Sequence, residues 1–170
     1  MNITEYFGVN RDNDLVTISV SGADSSKFLQ GQLSNDIENL SDNNYQYSTF
    51  STNQGKVIAS MRIFRRSDQY IILTNSDVAN SVLEGLKKYI LMSKVDITLE
   101  RSTCYGVLGD NKINTENLNI SKSEYSLTNI NGNYILEMKI IDYPSYIVVS
   151  FADDIPNFLL GDTTGDINIG

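Results

Sequence analysis

The 170-residue sequence predicts an α+β protein, mainly antiparallel sheets with packed helices arranged in two small lobes. Three observations lead there. The order of expected elements, β-α-β-β-β-α-β then β-α-β-β-β-α, mixes hairpins with helices and lacks the strict alternation of a doubly wound parallel sheet. Turn signals at Asn53-Gln54-Gly55, Ser67-Asp68 and Asn131-Gly132 join strand-forming runs into hairpins. One helix is strongly amphipathic, with Val78, Val82, Leu86, Tyr89 and Ile90 recurring at the helical period. The chain divides near Glu100: residues 1–100 form a first lobe, 101–160 a second, and 161–170 a tail.

Residues before Leu15, rich in Asn, Asp and Gly, read as a lead-in loop. Leu15 to Val20 then places Val16, Ile18 and Val20 on one face of a strand. Ser21 and Asp24 stand in the S-x-x-D relation of a capping box, so a short helix follows with Phe28, Leu29 and Leu33 as its buried stripe. Tyr45 to Ser51 is a strand, and Lys56 to Arg66 a longer one. On the longer strand Val57, Ala59, Met61 and Ile63 share one face, and Ile58, Ser60, Arg62 and Phe64 the other. Gln69 to Leu73 completes the meander, and Asn75-Ser76-Asp77 caps the strong helix. Gly85 inside that helix costs about 1 kcal/mol relative to Ala, which points to a neighbour packed closely against it. Val95 to Leu99 and Thr103 to Leu108 are strands. Asp110 to Ser126 carries a weak helical pattern through Ile113, Leu118 and Ile120. A hairpin around Asn131-Gly132, a strand from Tyr146 to Phe151 and a short helix over Asp153 to Leu160 complete the second lobe.

The formal net charge of -8 disfavours broad contact with phosphate backbones. Arg62, Arg65 and Arg66, and separately Lys87 and Lys88, form local clusters that suit one anionic ligand. With no histidine, the usual triads, imidazole metal ligands and near-neutral proton switches are excluded. The single cysteine, Cys104, cannot form an intrachain disulfide and fits a reducing compartment. No apolar run is long enough to span a membrane, and the N-terminal residues lack the pattern of a signal peptide, so a cytoplasmic location is expected. Phosphate-loop and dinucleotide fingerprints are absent. The acidic pairs Asp153-Asp154 and Asp12 with Asp14 read as solvated loop charge, and Cys104, inside an apolar run, as a core thiol.

Gln30, Gln32, Asn35 and Asp36 admit two readings, as turn-closing side chains or as ligand contacts. Gln54-Gly55-Lys56 adds an amide, an approachable backbone and a cation. Arg62 projects from the next strand, and Asn75 stands at the mouth of a helix. Amides, cations and apolar surface together suit a pterin-like ring with a carboxylated tail.

Gly22-Ala23-Asp24-Ser25-Ser26-Lys27-Phe28-Leu29-Gln30-Gly31-Gln32-Leu33-Ser34-Asn35-Asp36 resembles the G-A-D-x-x-x-F-L-Q-G-Q-x-T-x-D signature of the YgfZ-like, GcvT-like folate-binding family. Gln54-Gly55-Lys56 through Met61-Arg62-Ile63-Phe64-Arg65 agrees in order, as does Leu86-Lys87-Lys88-Tyr89 through Ser93-Lys94-Val95. The resemblance is specific to about residue 100. It implies a ring-like arrangement of α+β subdomains that binds tetrahydrofolate or a derivative. It also implies a role in building or maintaining iron–sulfur enzymes, including ones that modify tRNA. Its implied partners are a folate and iron–sulfur proteins, with no direct nucleic acid and no membrane. Gln32, Asn35, Lys56, Arg62 and Asn75 are the candidate cofactor-binding residues; no metal ligand or catalytic residue is assigned.

The alternative is a tetrahydrofolate-dependent aminomethyltransferase or other one-carbon transferase. The catalytic aspartate of that relative belongs where this chain has Ala59 and Ser60, and neither is a carboxylate base. The family's later K-G-C-Y-x-G-Q-E motif is not reached before residue 170. Thr103-Cys104-Tyr105-Gly106 lacks its flanking residues, so the resemblance gives Cys104 no role. A piece of a longer protein and a shortened homologue both remain open, and in the first case the tail begins a segment that continues in longer relatives.

Overall fold

In the computed structural model, which describes residues 8–12, 14–108, 120, 125–140 and 143–159, the strands sort into two five-stranded sheets. All their pairings are antiparallel. The chain divides into two units, Asp14–Arg101 and a second that combines the N-terminal residues with those from Ser102 onward.

The first unit contains β2 (Leu15–Ser21), α1 (Ser25–Gln32), β3 (Tyr45–Ser51), β4 (Val57–Arg66), β5 (Gln69–Asn75), α2 (Ser76–Lys87) and β6 (Asp96–Glu100). Its sheet runs β3-β4-β5-β2-β6. One face carries Ile18, Val20, Met61, Ile63, Ile72 and Ile97, all 2% exposed or less, and packs in one cluster with Phe28 and Leu29 of α1 and Ala79, Val82 and Leu86 of α2. Burial of these aliphatic side chains is the dominant favourable term for this unit, at roughly 1.5–3 kcal/mol each. The loop after α1 adds Ile37 and Leu40 to the same core.

The period-2 reading of β4 holds from Ala59 onward and fails before it. Phe50 pairs with Ala59, but Ser51 pairs with Val57, so Ile58 is an extra residue that bulges β4. The bulge reverses the phase. Val57 is 55% exposed instead of joining the core, and Ile58 packs against the core instead.

The second unit has β1 (Gly8–Asp12), β7 (Thr103–Leu108), β8 (Leu127–Ile130), β9 (Asn133–Ile140) and β10 (Tyr143–Ser150), in the order β1-β7-β10-β9-β8. The lead-in residues are therefore not all loop. Gly8–Asp12 is a strand paired with β7, which places it with the second unit and not with the residues that follow it. Tyr105, Val107, Ile135, Tyr146 and Val148 form the second core, joined by Ile120 and Leu159. The helix expected over Asp153 to Leu160 is only a single 3₁₀ turn, Asn157–Leu159, closed by Leu159 N–H donating to the Pro156 carbonyl. Pro156 removes a donor at the place where an α-helix would begin to propagate. The helical pattern at 110–126 falls outside the described residues except at Ile120, Tyr125 and Ser126, and the tail at 161–170 lies wholly outside them.

Gly85 faces the ring of Phe50. A Cβ there would lie 2.5 Å from Phe50 Cε1, and Phe50 is 2% exposed with little room to move. Gly85→Ala should therefore lower stability by roughly 1–2 kcal/mol, against the gain of about 1 kcal/mol that helix propensity alone would give. Denaturant unfolding of Gly85→Ala alone and with Phe50→Leu checks this. The alanine should become neutral or favourable once the ring is shortened, and stabilisation in the otherwise native protein would contradict the packing account.

Candidate functional site

Five polar side chains of the Gly22–Asp36 stretch, those of Asp24, Gln30, Ser34, Asn35 and Asp36, bond into the protein. Gly22 has φ +109°, and a Cβ there would lie 2.2 Å from the Lys94 carbonyl oxygen, so both conformation and space require glycine. The expected capping box does not form: Asp24 precedes α1 but makes no side-chain cap bond. Its Oδ2 accepts instead from the Lys94 N–H at 2.7 Å, while the Asp24 N–H donates to the Lys94 carbonyl at 3.3 Å. A long-range partner supplies a charge-assisted bond that outcompetes the local one.

Gln30 Oε1 accepts from the Ile37 N–H at 2.7 Å, turning the chain so that Ile37 enters the core. Asp36 closes the next turn by accepting from the Glu38 N–H and from Asn39 Nδ2. Ser34 N–H donates to the Thr49 carbonyl, Thr49 N–H donates to Ser34 Oγ, and Leu33 bridges Phe50. Residues 33–35 therefore lie along the outer edge of β3, satisfying groups that an edge strand would otherwise present.

The five candidate residues divide. Asn35 and Arg62 are linked through Tyr47. Asn35 Nδ2 donates to the Tyr47 carbonyl at 2.5 Å, and its N–H donates to Ser48 Oγ. Arg62 is directly opposite Tyr47, with its guanidinium 5.0 Å from the ring centroid and its Nε donating to the Tyr47 hydroxyl at 3.3 Å. Gln32 is elsewhere, at the end of α1. Lys56 is exposed at the tip of the β3–β4 hairpin, where its main chain pairs with Thr52. Asn75 is exposed at the junction of β5 and α2 and makes no side-chain cap bond. Sequence reasoning missed Tyr47, and the only available signal was its place in an alternating strand.

The arginine cluster resolves into three different environments. Arg65 pairs with Asp42 at 2.9 Å, and Arg66 with Glu100 at 3.5 Å. Arg62 has no acidic partner among the described residues. Its Nε is directed to Tyr47, which leaves the terminal nitrogens available for bidentate contact with a carboxylate. The half-buried Arg62 and the 37% exposed Tyr47 form a cation beside an aromatic face, on the sheet surface opposite the helices.

Gln32 belongs to a second feature, an open groove of about 400 Å³ between α1 and the segment after α2. Phe28, Gly31, Tyr89, Met92 and Ser93 line it with Gln32. Tyr89 is fixed there by donating its hydroxyl to Asn53 Oδ1 at 2.9 Å.

Cys104 is 1% exposed, and its thiol is pushed up from 9.0 to about 12 by burial and by the nearby Asp12 charge, against a smaller opposing bond from Ser102. Such a thiol is neutral and inert, as expected of a core cysteine. No group of three or more His, Cys, Asp or Glu among the described residues could hold a metal ion, and no described helix is long and apolar enough to cross a membrane.

No protein-family model matches the chain. Among curated proteins it is similar to the tRNA-modifying protein YgfZ of Aliivibrio fischeri, 28% identical over 70% of this chain and 39% of that protein. The tRNA-modifying protein YgfZ of an Enterobacter species is 33% identical over 57% of this chain and 30% of that protein. An uncharacterized protein of Haemophilus influenzae is 37% identical over 55% of this chain and 34% of its own length. The matched region thus spans between 30% and 39% of these relatives. Among solved structures, aminomethyltransferase T of the glycine cleavage system from Bartonella henselae superposes with a TM-score of 0.75, over 92% of this chain and 46% of that one. At 14% identity that likeness shows the fold.

Two outcomes follow from this geometry. Asp24→Ala should cost about 1–3 kcal/mol in denaturant unfolding, Asp24→Asn about half as much, and Gly22→Ala roughly 2–5 kcal/mol. Equal stability of all three with the native protein would refute the docking of this turn on Lys94. For Cys104, the unfolded thiol ionises near 9.0 and the folded one near 12, so its stabilising contribution is complete below 9.0 and is lost as pH rises towards 12. Compared with Cys104→Ala, the native protein should lose up to about 1.4 kcal/mol more per pH unit in that window. Parallel alkaline stability curves would contradict the burial of the thiol.

Proposed function

We propose that the chain is a YgfZ-like, GcvT-like protein that binds tetrahydrofolate or a derivative and assists the assembly or repair of iron–sulfur enzymes, among them ones that modify tRNA, a reading supported by its similarity to YgfZ proteins and by its fold. The observation that carries this reading is the Arg62 guanidinium, held against Tyr47 with its terminal nitrogens uncommitted. A folate offers flat rings and carboxylates. An aromatic face suits the first, and a fixed guanidinium fork suits the second. Asn35 supports Tyr47 from below by holding its carbonyl, so its part is positioning. Lys56 and Asn75 are further exposed polar groups that the ligand would recruit, whereas Gln32 lines the separate groove beside α1.

Aminomethyl transfer is the weaker reading. Ala59 faces the helix-packed core at 5% exposure, and Ser60 is exposed on the opposite face of β4. The proposed setting is the cytoplasm, where iron–sulfur proteins would be the partners and the folate the small-molecule ligand.

Calorimetric titration with tetrahydrofolate and its 5-formyl derivative tests the proposal. The native chain should bind saturably, and Arg62→Ala should weaken binding by about 1–3 kcal/mol. Arg62→Lys should recover only part of that loss, because an ammonium lacks the planar fork. Undetectable heat at millimolar ligand, or an unchanged affinity in Arg62→Ala, would remove this site from consideration.

A further inference from the structure

The Lys87-Lys88-Tyr89 to Ser93-Lys94-Val95 stretch recurs in the family signature, yet the Tyr47–Arg62 face makes no use of it. The segment is tightly built. Tyr89 N–H donates to Leu86 O, Ile90 N–H to Lys87 O, and Leu91 N–H to Tyr89 O, and the Asp24 carboxylate then holds Lys94 N–H. Ile90 packs on the core, but Leu91 and Met92 point outward at 87% and 96% exposure. Two large apolar side chains are thus held in water by an ordered turn, an arrangement typical of an interaction surface.

Charge gathers around them. In a chain with 21 acidic and 13 basic residues, Lys27, Lys87, Lys88 and Lys94 are all exposed beside this turn or on the facing helix. Lys27, Lys88 and Lys94 have no acidic partner among the described residues, and Lys87 meets only Glu84, at 3.8 Å. Among the described residues that line the groove Asp24 is the one acid, and the Lys94 amide engages its Oδ2.

The floor supplies an independent observation. Gly31 lies within α1, where glycine is a poor helix former, and its φ is not positive. A Cβ built there meets nothing within 4 Å, so no contact within the described residues requires glycine. Its absent side chain leaves the groove between Phe28 and Tyr89 open.

We propose that this groove and the Leu91–Met92 turn form a docking site for an acidic segment of another protein, one that places a bulky apolar side chain over Gly31 and carboxylates against Lys27, Lys88 and Lys94. The lysines select carboxylates by charge complementarity. The groove takes the anchor, and Met92, flexible and polarizable, adapts to it. A small ligand filling the groove would leave Leu91 in water. A bilayer would have no use for a walled groove, and RNA carries no flexible apolar side chain to reach Gly31 or cover Leu91; the overall charge of -8 weakens every anion alike, so the local lysines and the groove decide.

The test uses short fluorescein-labelled peptides of mixed Asp and Glu with a central Phe, Leu, Met or Ala, read by anisotropy against the whole chain at low salt. Amide chemical shifts of the ¹⁵N-labelled protein locate the contact. Saturable binding is expected for the Phe, Leu or Met peptides, at least about tenfold weaker for the Ala peptide, with shift changes at Lys27, Gly31 and 89–94. Gly31→Leu should fill the groove and weaken binding by about tenfold or more while the melting temperature holds or rises. Met92→Glu should weaken it by charge and leave the fold intact. The proposal is overturned if no peptide saturates by millimolar concentration, or if Gly31→Leu binds as well as the native chain. It is equally overturned if Met92→Glu abolishes only binding to phosphatidylserine vesicles or to RNA, or only self-association seen by sedimentation.

Discussion

The backbone of Lys94, held against the Gly22-Ala23-Asp24 turn, is the contact on which the first unit depends. The turn ends β2 and starts α1, and Lys94 leads into β6, the next strand beside β2. Seventy residues of chain separate Asp24 from Lys94. Closing a loop that long carries an entropic cost that local turns do not. A carboxylate bond, a main-chain bond and a steric fit available only to glycine offset it at one point. Once that point is fixed, α1 and the segment after α2 face each other, and the groove between them follows from the closure.

The same stretch then works outward along the chain. Gln30 draws Ile37 into the core, and Ser34 and Asn35 cover the edge of β3. Covering that edge fixes Tyr47, and Tyr47 orients Arg62. The signature therefore acts on the proposed folate face at one remove, by building the strand that presents it. Arg65 and Arg66 are near Arg62 in sequence, but strand alternation puts Arg65 on the other face, where it meets Asp42, and Arg66, on the same face, is paired with Glu100. One uncommitted guanidinium beside an aromatic ring is a more selective feature than three adjacent cations would have been.

Much of this was legible in the sequence, and the failures have physical causes. The α+β class, the strong helix and the hairpins were readable because burial imposes its period on Val78, Val82 and Leu86 and on the alternating strands. Close packing at Gly85 was readable because glycine in a helix demands a reason, and the Phe50 ring provides it. The pairing of Tyr47 with Arg62 was not readable. Counting back from the hairpin turn, where Ser51 meets Val57, would place Met61 opposite Tyr47, and only the bulge at Ile58 shifts the register by one. The role of Asp24 was hidden for a similar reason: S-x-x-D is a local signal, and the partner that claims the carboxylate is distant in sequence. Gly8–Asp12 reads as loop in the sequence because strand pairing with β7 is a tertiary fact that its Asn- and Asp-rich composition does not advertise.

The central claim is that the signature residues hold the fold first and serve ligands through it. Amide hydrogen exchange at Lys94 and Ile37, followed by NMR in the native protein, tests it most directly. Both amides donate to side-chain oxygens of the signature, Asp24 Oδ2 and Gln30 Oε1. They should exchange as slowly as the paired amides of β2 and β5, opening only with the whole unit. Exchange at the rate of an unstructured peptide, with the sheet amides still protected, would show that these contacts are ornaments on a fold held by other means.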